Sequence, residues 1–363
     1  MLKSYDFQIR INGIAYMLAT GFSFNRSMDM MGGAFSLGLI DPDEEMISAF
    51  RPGVTSQIEI NGIIIAKAVF DTVSIDDTNG HVFTYSGRDP SGDLIDSSAM
   101  FSDGNFSKKN IKLEDAIKDL LKPYNMVVKV AVDDTGKVFS EISITPGETV
   151  SEVITRLCKY RAVFPLSDGA GGLILTKAGG KRSGGHITVG GDQGNVITRR
   201  GEISHAQRYS EIIVKGGSNG GDGFEGWAET SPEDLSGTEG RAKDPDIKRY
   251  RPLIIQSESD GYDLDLEERA LWEVRYRRFS GTELTYTVPG WEAAEGEFWK
   301  INTLVPVVDP QLFVKRDMLI KTVGLSRDGE GTRTNLTVAP AEAYDLPPNR
   351  EPESDDVLFG GGA

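Results

Sequence analysis

The first strong signal along the chain is an alternation of period two. In DFQIRINGIAYML, Phe7, Ile9 and Ile11 alternate with Asp6, Gln8 and Arg10 up to Asn12-Gly13. Alternation of this kind predicts a strand with one buried face, and Asn-Gly supplies the two positive-φ residues that a tight hairpin turn needs. The device returns in QIEINGIIIAKAVF at Asn61-Gly62, and a looser hairpin is predicted around Asp77, Thr78, Asn79 and Gly80, between TVSID and HVFTYS. Between the hairpins, Asp41 as N-cap, Pro42 at the first helical position and the acids Asp43, Glu44 and Glu45 predict a short helix that Pro52 closes. That helix is expected to plug one end of the sheet, and residues 1–95 to form a compact antiparallel β domain.

The period changes over residues 96–185. Leu113, Ala116, Ile117, Leu120 and Leu121 fall at i, i+3, i+4, i+7 and i+8, the stripe of an amphipathic helix, and Pro123 stops it. Val150, Val153, Ile154, Leu157 and Cys158 repeat the spacing, opened by Thr149 and Glu152 at capping-box separation. Each helix is followed by β-rich sequence, so this region is predicted to be an α+β insert of two related helix-plus-strand units. Strand patterns return over 186–250 in HITVGG, GNVITRR and SEIIVKGG, interrupted by the acidic, glycine-rich run GGSNGGDGFEGWAETSPEDLSGTEG, which is expected to be a long loop. Residues 251–280 contain a further helix, DLDLEERALWEVRYRRFSG, with acids in its first turn, arginines in its last, and Leu266, Ala270, Leu271 and Val274 as its apolar face. Strands TELTYTV, WKINTLVPVVD, MLIKTVGLS and TRTNLTVAP complete a second β domain over 281–345. The tail, 346–363, is rich in proline, acid and glycine around an apolar island of Val357, Leu358 and Phe359; it is expected to be disordered alone and to order by docking on a partner.

Composition adds to this picture. With 363 residues the chain has material for two to three domains and a sizeable core, and 42 glycines fit turn-rich β structure better than a helical bundle. Thirty-nine basic against 55 acidic residues give a net charge of −16, which repels phosphate and anionic lipid and argues against sequence-independent nucleic-acid binding. Cys158 is alone and cannot form an internal disulfide, and MLKSYDFQIR lacks the pattern of a signal peptide, so synthesis in a reducing cytoplasm is expected. The most apolar stretch, around Ile63 to Phe70, is broken by Lys67 and falls far short of the ~20 residues of a membrane span. A soluble protein is expected.

The short chemical motifs fail their context. Gly216 to Gly220 match G-x-S-x-G, but all three histidines, His81, His186 and His205, precede Ser218, opposite to the serine–acid–histidine order of that fold. Gly221, Gly223 and Gly226 match G-x-G-x-x-G, yet acids stand between them and no helix start follows to receive a pyrophosphate. Three scattered histidines and one cysteine make no clustered metal site. Cys158 lies on the apolar face of its helix, the place of a core residue and not of a nucleophile. In RAKDPDIKRYR, Arg241, Lys243, Lys248, Arg249 and Arg251 form a local basic patch, read as a docking site for an acidic surface or as a solvated strand. No catalytic, cofactor-binding or metal-ligating residue is therefore assigned. The many carboxylates leave open an acid pair at glycosidase separation, and hence a wall-degrading activity.

Three longer strings are more specific. YSGRDPSGDLIDSSA, VGGDQGNVITRRGEISHAQRYSEIIVKG, and WKINTLVPVVDP with MLIKTVGLSRDGEGTRTNLTVAPAEAY together resemble, in order and over nearly the whole chain, the Mu-like phage tail protein P family of contractile-tail baseplate hubs. That family is related in fold to the T-even phage hub and to the N-terminal region of type VI secretion spike proteins. The resemblance implies an α+β, mainly β fold, with two barrel-like antiparallel β domains, 1–95 and a split 186–250 plus 281–345, and inserted α+β segments. It also implies a ring-shaped homotrimer in the virion tail baseplate, joining the sixfold tail tube to the threefold central spike and leaving a channel through which DNA passes unbound. The implied partners are its own copies, the spike, and the tail tube or other baseplate proteins, with no cofactor and no direct membrane contact. A tail-associated cell-wall hydrolase is the competing function, and a glycan-binding module a third; the latter lacks the repeats usual in receptor fibres.

Overall fold

The computed structural model describes residues 5–17, 21–78, 80–216, 239–256, 265–345 and 347. The chain divides into two compact units, one of Met1–Cys158, Val163–Arg200 and Leu284–Val338, the other of Lys159–Ala162, Gly201–Glu283 and Ala339–Ala363.

The first unit opens with β1 (Phe7–Ile11), β2 (Ile14–Tyr16), β3 (Gly21–Ser27), β4 (Ala34–Ile40), the short α1 (Glu44–Ala49), β5 (Thr55–Ile60), β6 (Ile63–Asp76) and β7 (Val82–Arg88). Both Asn-Gly turns form as the sequence requires, with φ of 49° and 84° at Asn12-Gly13 and 51° and 75° at Asn61-Gly62. The alternation of β1 is realised in full: Phe7, Ile9 and Ile11 are buried, while Arg10 and Gln8 hold Glu59 on the neighbouring β5. The cap of α1 differs from expectation. Asp43, not Asp41, accepts the Met46 amide at 2.8 Å, because Asp41 is spent on a left-handed turn at φ 46°. No residue inside α1 is buried; the plug is its C-cap Phe50, fully buried against Phe70, Tyr85 and Tyr16. Gly87 shows why β7 is intolerant of side chains at one point: a Cβ there would lie 1.8 Å from the Val69 carbonyl, where β6 bulges between Phe70 and Thr72.

The insert follows as α2 (Asp93–Asp96), β8 (Ser107–Ile111), α3 (Leu113–Leu121), β9 (Val127–Val130), β10 (Phe139–Ser143), α4 (Val150–Lys159), β11 (Phe164–Ser167) and β12 (Gly172–Thr176). The apolar stripes predicted for α3 and α4 are the buried residues of those helices. The capping box of α4 is present in both directions, Glu152 N to Thr149 Oγ1 at 3.2 Å and Thr149 N to Glu152 Oε2 at 2.8 Å. The strands make a two-stranded β8–β10 pair and a β11–β12–β9 sheet in which β12 and β9 run parallel.

Next come β13 (Lys181–Arg182), β14 (Ile187–Thr188) and β15 (Thr198–Ile203); the second unit supplies β16 (Glu211–Lys215), β17 (Glu239–Lys243), β18 (Pro252–Gln256) and α5 (Leu266–Ser280). The chain then continues with β19 (Thr282–Pro289), β20 (Glu292–Ala294), β21 (Glu297–Phe298), β22 (Thr303–Asp309), β23 (Val314–Asp328) and β24 (Gly331–Ala339). Strands from both ends of the sequence join one fourteen-stranded sheet. Its path runs β15-β19-β24-β23-β3-β4-β7-β6-β5-β1-β2, with β22 pairing β23, β13 and β14. The fold is thus mainly β with inserted α+β segments, but the expected pair of separate barrels takes another form. Among the described residues the path is open, and the two β regions share a sheet and a core. The joint is β23 against β3, from Thr322↔Ser27 to Arg327↔Phe22, where each strand satisfies the edge of the other. Trp291 seals it, fully buried against Tyr5, Phe7 and Phe22, its amide donating to the Tyr5 hydroxyl at 3.0 Å and its indole nitrogen to the Ser326 carbonyl at 2.9 Å.

In the second unit β16 lies between antiparallel β17 and parallel β18, and Ile212, Val214, Ala242 and Ala270 form a small core with α5. The face expected for α5 is only partly right. Leu271 is 57% exposed, while Arg269, Trp272 and Glu273 are buried. Arg269 and Arg277 both pair with Glu273 at 2.7 Å, and the Arg269 guanidinium lies over the Trp272 ring, so charge pairing carries part of the helix inward.

Candidate assembly surfaces

The strings that carry the family resemblance build joints. In YSGRDPSGDL, buried Asp89 accepts from Gly33 N at 2.8 Å, Ser91 N at 3.0 Å, Ser91 Oγ at 2.6 Å and Ser167 Oγ at 2.8 Å, tying β7 to the insert. Arg88 beside it spans Asp71 and Asp96, whose hydrogen bonds and charges push its own pKa further up. In VGGDQGN, Asn195 closes a turn by accepting from Thr188 N and donating to the His186 carbonyl. In WKINTLVPVVDP, Asn302, at φ 60°, accepts from Gly179 N and donates to the Lys177 carbonyl. Asp309, next to last in that string, is fully buried, accepting from Arg199, from Tyr286 Oη at 3.2 Å, and from the amides of Gln311 and Leu312. Burial, then the Asp309 charge, pushes the Tyr286 hydroxyl well above the usual phenol range, so it stays a donor.

The chemically reactive residue types are dispersed. His81 contacts Asp77 at 2.7 Å on the surface, His186 approaches the Gln193 carbonyl, and His205 lies 3.1 Å from Arg208. Ser218 and the rest of the glycine-rich run over 217–238 lie outside the described residues, as do Val357, Leu358 and Phe359. Among the described residues no three His, Cys, Asp or Glu side chains are grouped to hold a metal. Cys158 is fully buried and burial pushes its thiol up, consistent with a core role. The basic patch is in part internally spent. Arg241 pairs with Glu239 and Glu211, and Arg251 lies over Tyr209 and donates to the Ala206 carbonyl.

Three surface features stand out instead, and the sequence patterns assigned a docking role to none of them. The first is Phe313, presented 96% exposed and at φ 55° on the turn that Asp309 holds rigid. The second is an open edge: among the described residues β6 from Asp71 to Asp76 pairs only with β7, since its pairing to β5 ends at Val69, and it exposes Val73 and Ile75. The third is a cavity of 710 Å³ between the start of β6, the insert and residues 296–303. Phe24, Phe298, Val323 and Leu325 line it together with Ile63 and Ile64, which are 48% and 49% exposed; Arg26, Lys181 and Lys300 stand at it against Asp168 and Glu297. The sequence did hold a hint of the third: after Asn61-Gly62 the alternation gives way to three isoleucines in succession, which cannot all face one core.

A free strand edge, an exposed aromatic on a rigid turn and a solvent-facing apolar cavity are the features of a structural component made to be joined to others. Comparison with known proteins agrees. The second domain of gp44-like baseplate hub proteins matches residues 91–177, and the fourth domain of the Mu phage baseplate assembly protein GpP matches residues 264–347. The baseplate hub protein gp44 of Escherichia phage Mu is 30% identical over 346 residues, 93% of this chain and 89% of that protein. The 43 kDa tail protein of prophage MuSo2 from Shewanella oneidensis is 29% identical, covers 94% of this chain and 99% of that one, and superposes with a TM-score of 0.77. A tail protein from Neisseria meningitidis MC58 shares the fold at 20% identity and a TM-score of 0.74, over 95% of this chain and 99% of that one. The chain belongs to the Mu-type phage baseplate hub family. It is a structural protein of the tail baseplate and not an enzyme, so the hydrolase reading is set aside.

Proposed function

We propose that three copies close into a ring that joins the sixfold tail tube to the threefold central spike and leaves a channel for DNA. The observation that carries this reading is kinship with a phage baseplate hub along 93% of the chain. The sheet supports it. Each chain offers two β segments, β1–β7 and β19–β24, held in one frame by the β3–β23 pair, so three chains offer six comparable surfaces to a sixfold neighbour and a threefold set to the spike. The free edge of β6 and Phe313 are surfaces that such neighbours would cover. The protein would be made in the bacterial cytoplasm and built into the virion there, with copies of itself, the spike and the tube as partners, no cofactor and no membrane contact of its own.

Light scattering of the purified protein over a dilution series tests the ring. A species at three times 39.6 kDa that persists on dilution is the expected result. A monomer at every concentration, with and without the spike protein of the same tail, overturns it.

A further inference from the structure

We propose that the 710 Å³ cavity receives the C-terminal segment of a neighbouring copy, residues 353–359, with Val357, Leu358 and Phe359 on its apolar floor and Asp355 and Asp356 at its lysines. The inference rests on the trimer reading, which supplies the neighbour, and gives that trimer a specific fastener.

The cavity is built as a receptor and not left over from packing. Successive residues of a strand point to opposite faces, yet Ile63, Ile64 and Ile65 all line it. The cause is the bulge opposite Ile58 and Glu59: Glu59 pairs Ile64 and Ile58 pairs Ala66, which leaves Ile65 as the extra residue and re-aims the start of β6. The chain thereby holds two isoleucines half in water beside the buried Phe24 and Trp299, an arrangement that folding alone does not reward.

Charge selects the occupant. Among the described residues neither Lys181 nor Lys300 has a carboxylate within ion-pair distance, whereas Asp168 at the same cavity is already held by Lys129 at 3.1 Å. An apolar floor with free ammonium groups at its edge fits a segment in which acids run directly into large apolar residues. Glu353-Ser354-Asp355-Asp356-Val357-Leu358-Phe359 has that order. The segment has reach: Val357 lies ten positions beyond Pro347, a span of up to ~35 Å when extended, and three glycines follow Phe359.

Disulfide trapping in the full chain tests this directly, since buried Cys158 leaves the background clean. Ile64→Cys with Leu358→Cys, oxidised by Cu(II)-phenanthroline, should give covalent dimers and trimers on a non-reducing gel. The control pair, Ile14→Cys with Leu358→Cys, uses another exposed isoleucine and should stay at monomer mass. A bridge confined to single chains, no bridge, or equal ladders from both pairs overturns the proposal. Independently, Leu358→Ser with Phe359→Ser should speed amide exchange at residues 63–65 and 296–303 about tenfold, and unchanged exchange there counts against it. Light scattering of the same samples separates the two readings: a monomer removes the ring itself, whereas an unbridged trimer removes only the fastener.

Discussion

Phe313 occupies a conformation that suits glycine, at φ 55°, and places its ring in water. The left-handed region costs a residue with a Cβ about 1–2 kcal/mol, and a ring exposed on every side recovers none of that within its own chain. The turn does not need it: Asp309 already fixes Gln311 and Leu312, and Val314 is buried on the other side. Phe313→Gly should therefore raise the stability of the isolated chain by about 1 kcal/mol, read as a higher urea midpoint at unchanged slope. A loss of stability would mean that the ring is packed in the folded chain. Nothing in PQLFVKRD announces this residue in the sequence, because its environment is decided by a buried aspartate and by Arg199, 110 positions upstream of it. Asp89 is similar. Its place in YSGRDP was visible as part of a resemblance, but its role in joining β7 to Ser167 depends on a contact 78 residues away.

At the scale of elements, the sequence was most legible where structure is local. Both Asn-Gly hairpins, the stripes of α3 and α4 and the capping box of α4 depend on residues within one or two turns of each other, and they formed where the patterns put them. The α4 cap permits a quantitative check. Thr149→Ala removes the acceptor for the Glu152 amide and should cost about 1 kcal/mol in thermal or urea unfolding. The Thr149 amide hydrogen bond depresses the Glu152 pKa, so the stabilisation from its carboxylate is present above the unfolded value and is lost as pH falls through the folded one. Glu152→Gln should flatten that acid limb relative to the parent chain, and an unchanged limb would show that the carboxylate plays no part. The face of α5 was misread for a different reason. A hydrophobicity pattern scores Arg269 and Glu273 as outward, but their pairing and the Trp272 ring carry them in and leave Leu271 in solvent. The shared sheet was illegible for a third reason: which strand edge meets which is a choice between distant segments, and β3 pairs with a strand some 300 residues later.

For the whole molecule the decisive quantity is charge. Many of its cations are committed to partners in the described residues: Arg10 to Glu59, Arg88 to Asp71 and Asp96, Arg156 to Glu148, Arg182 to Asp317, and Arg208 to Asp244. With 55 acids against 39 basic residues, such pairing consumes the positive charge and leaves the acidic surplus for the surface. The proposed ring of three chains at −16 each would carry −48, a field that would repel a phosphate backbone and let a duplex pass without being held. Low salt makes the test strict, because at about 0.01 M the Debye length is near 30 Å and any basic lining of a channel would be felt in full. Fluorescence anisotropy of a labelled duplex should stay flat at pH 7 under those conditions. Retention should begin only as pH falls below the isoelectric point near 4.8, where the sign of the net charge reverses. Binding at neutral pH would locate a cationic surface that net charge conceals, and would turn the proposed ring from a passive conduit into one that grips DNA.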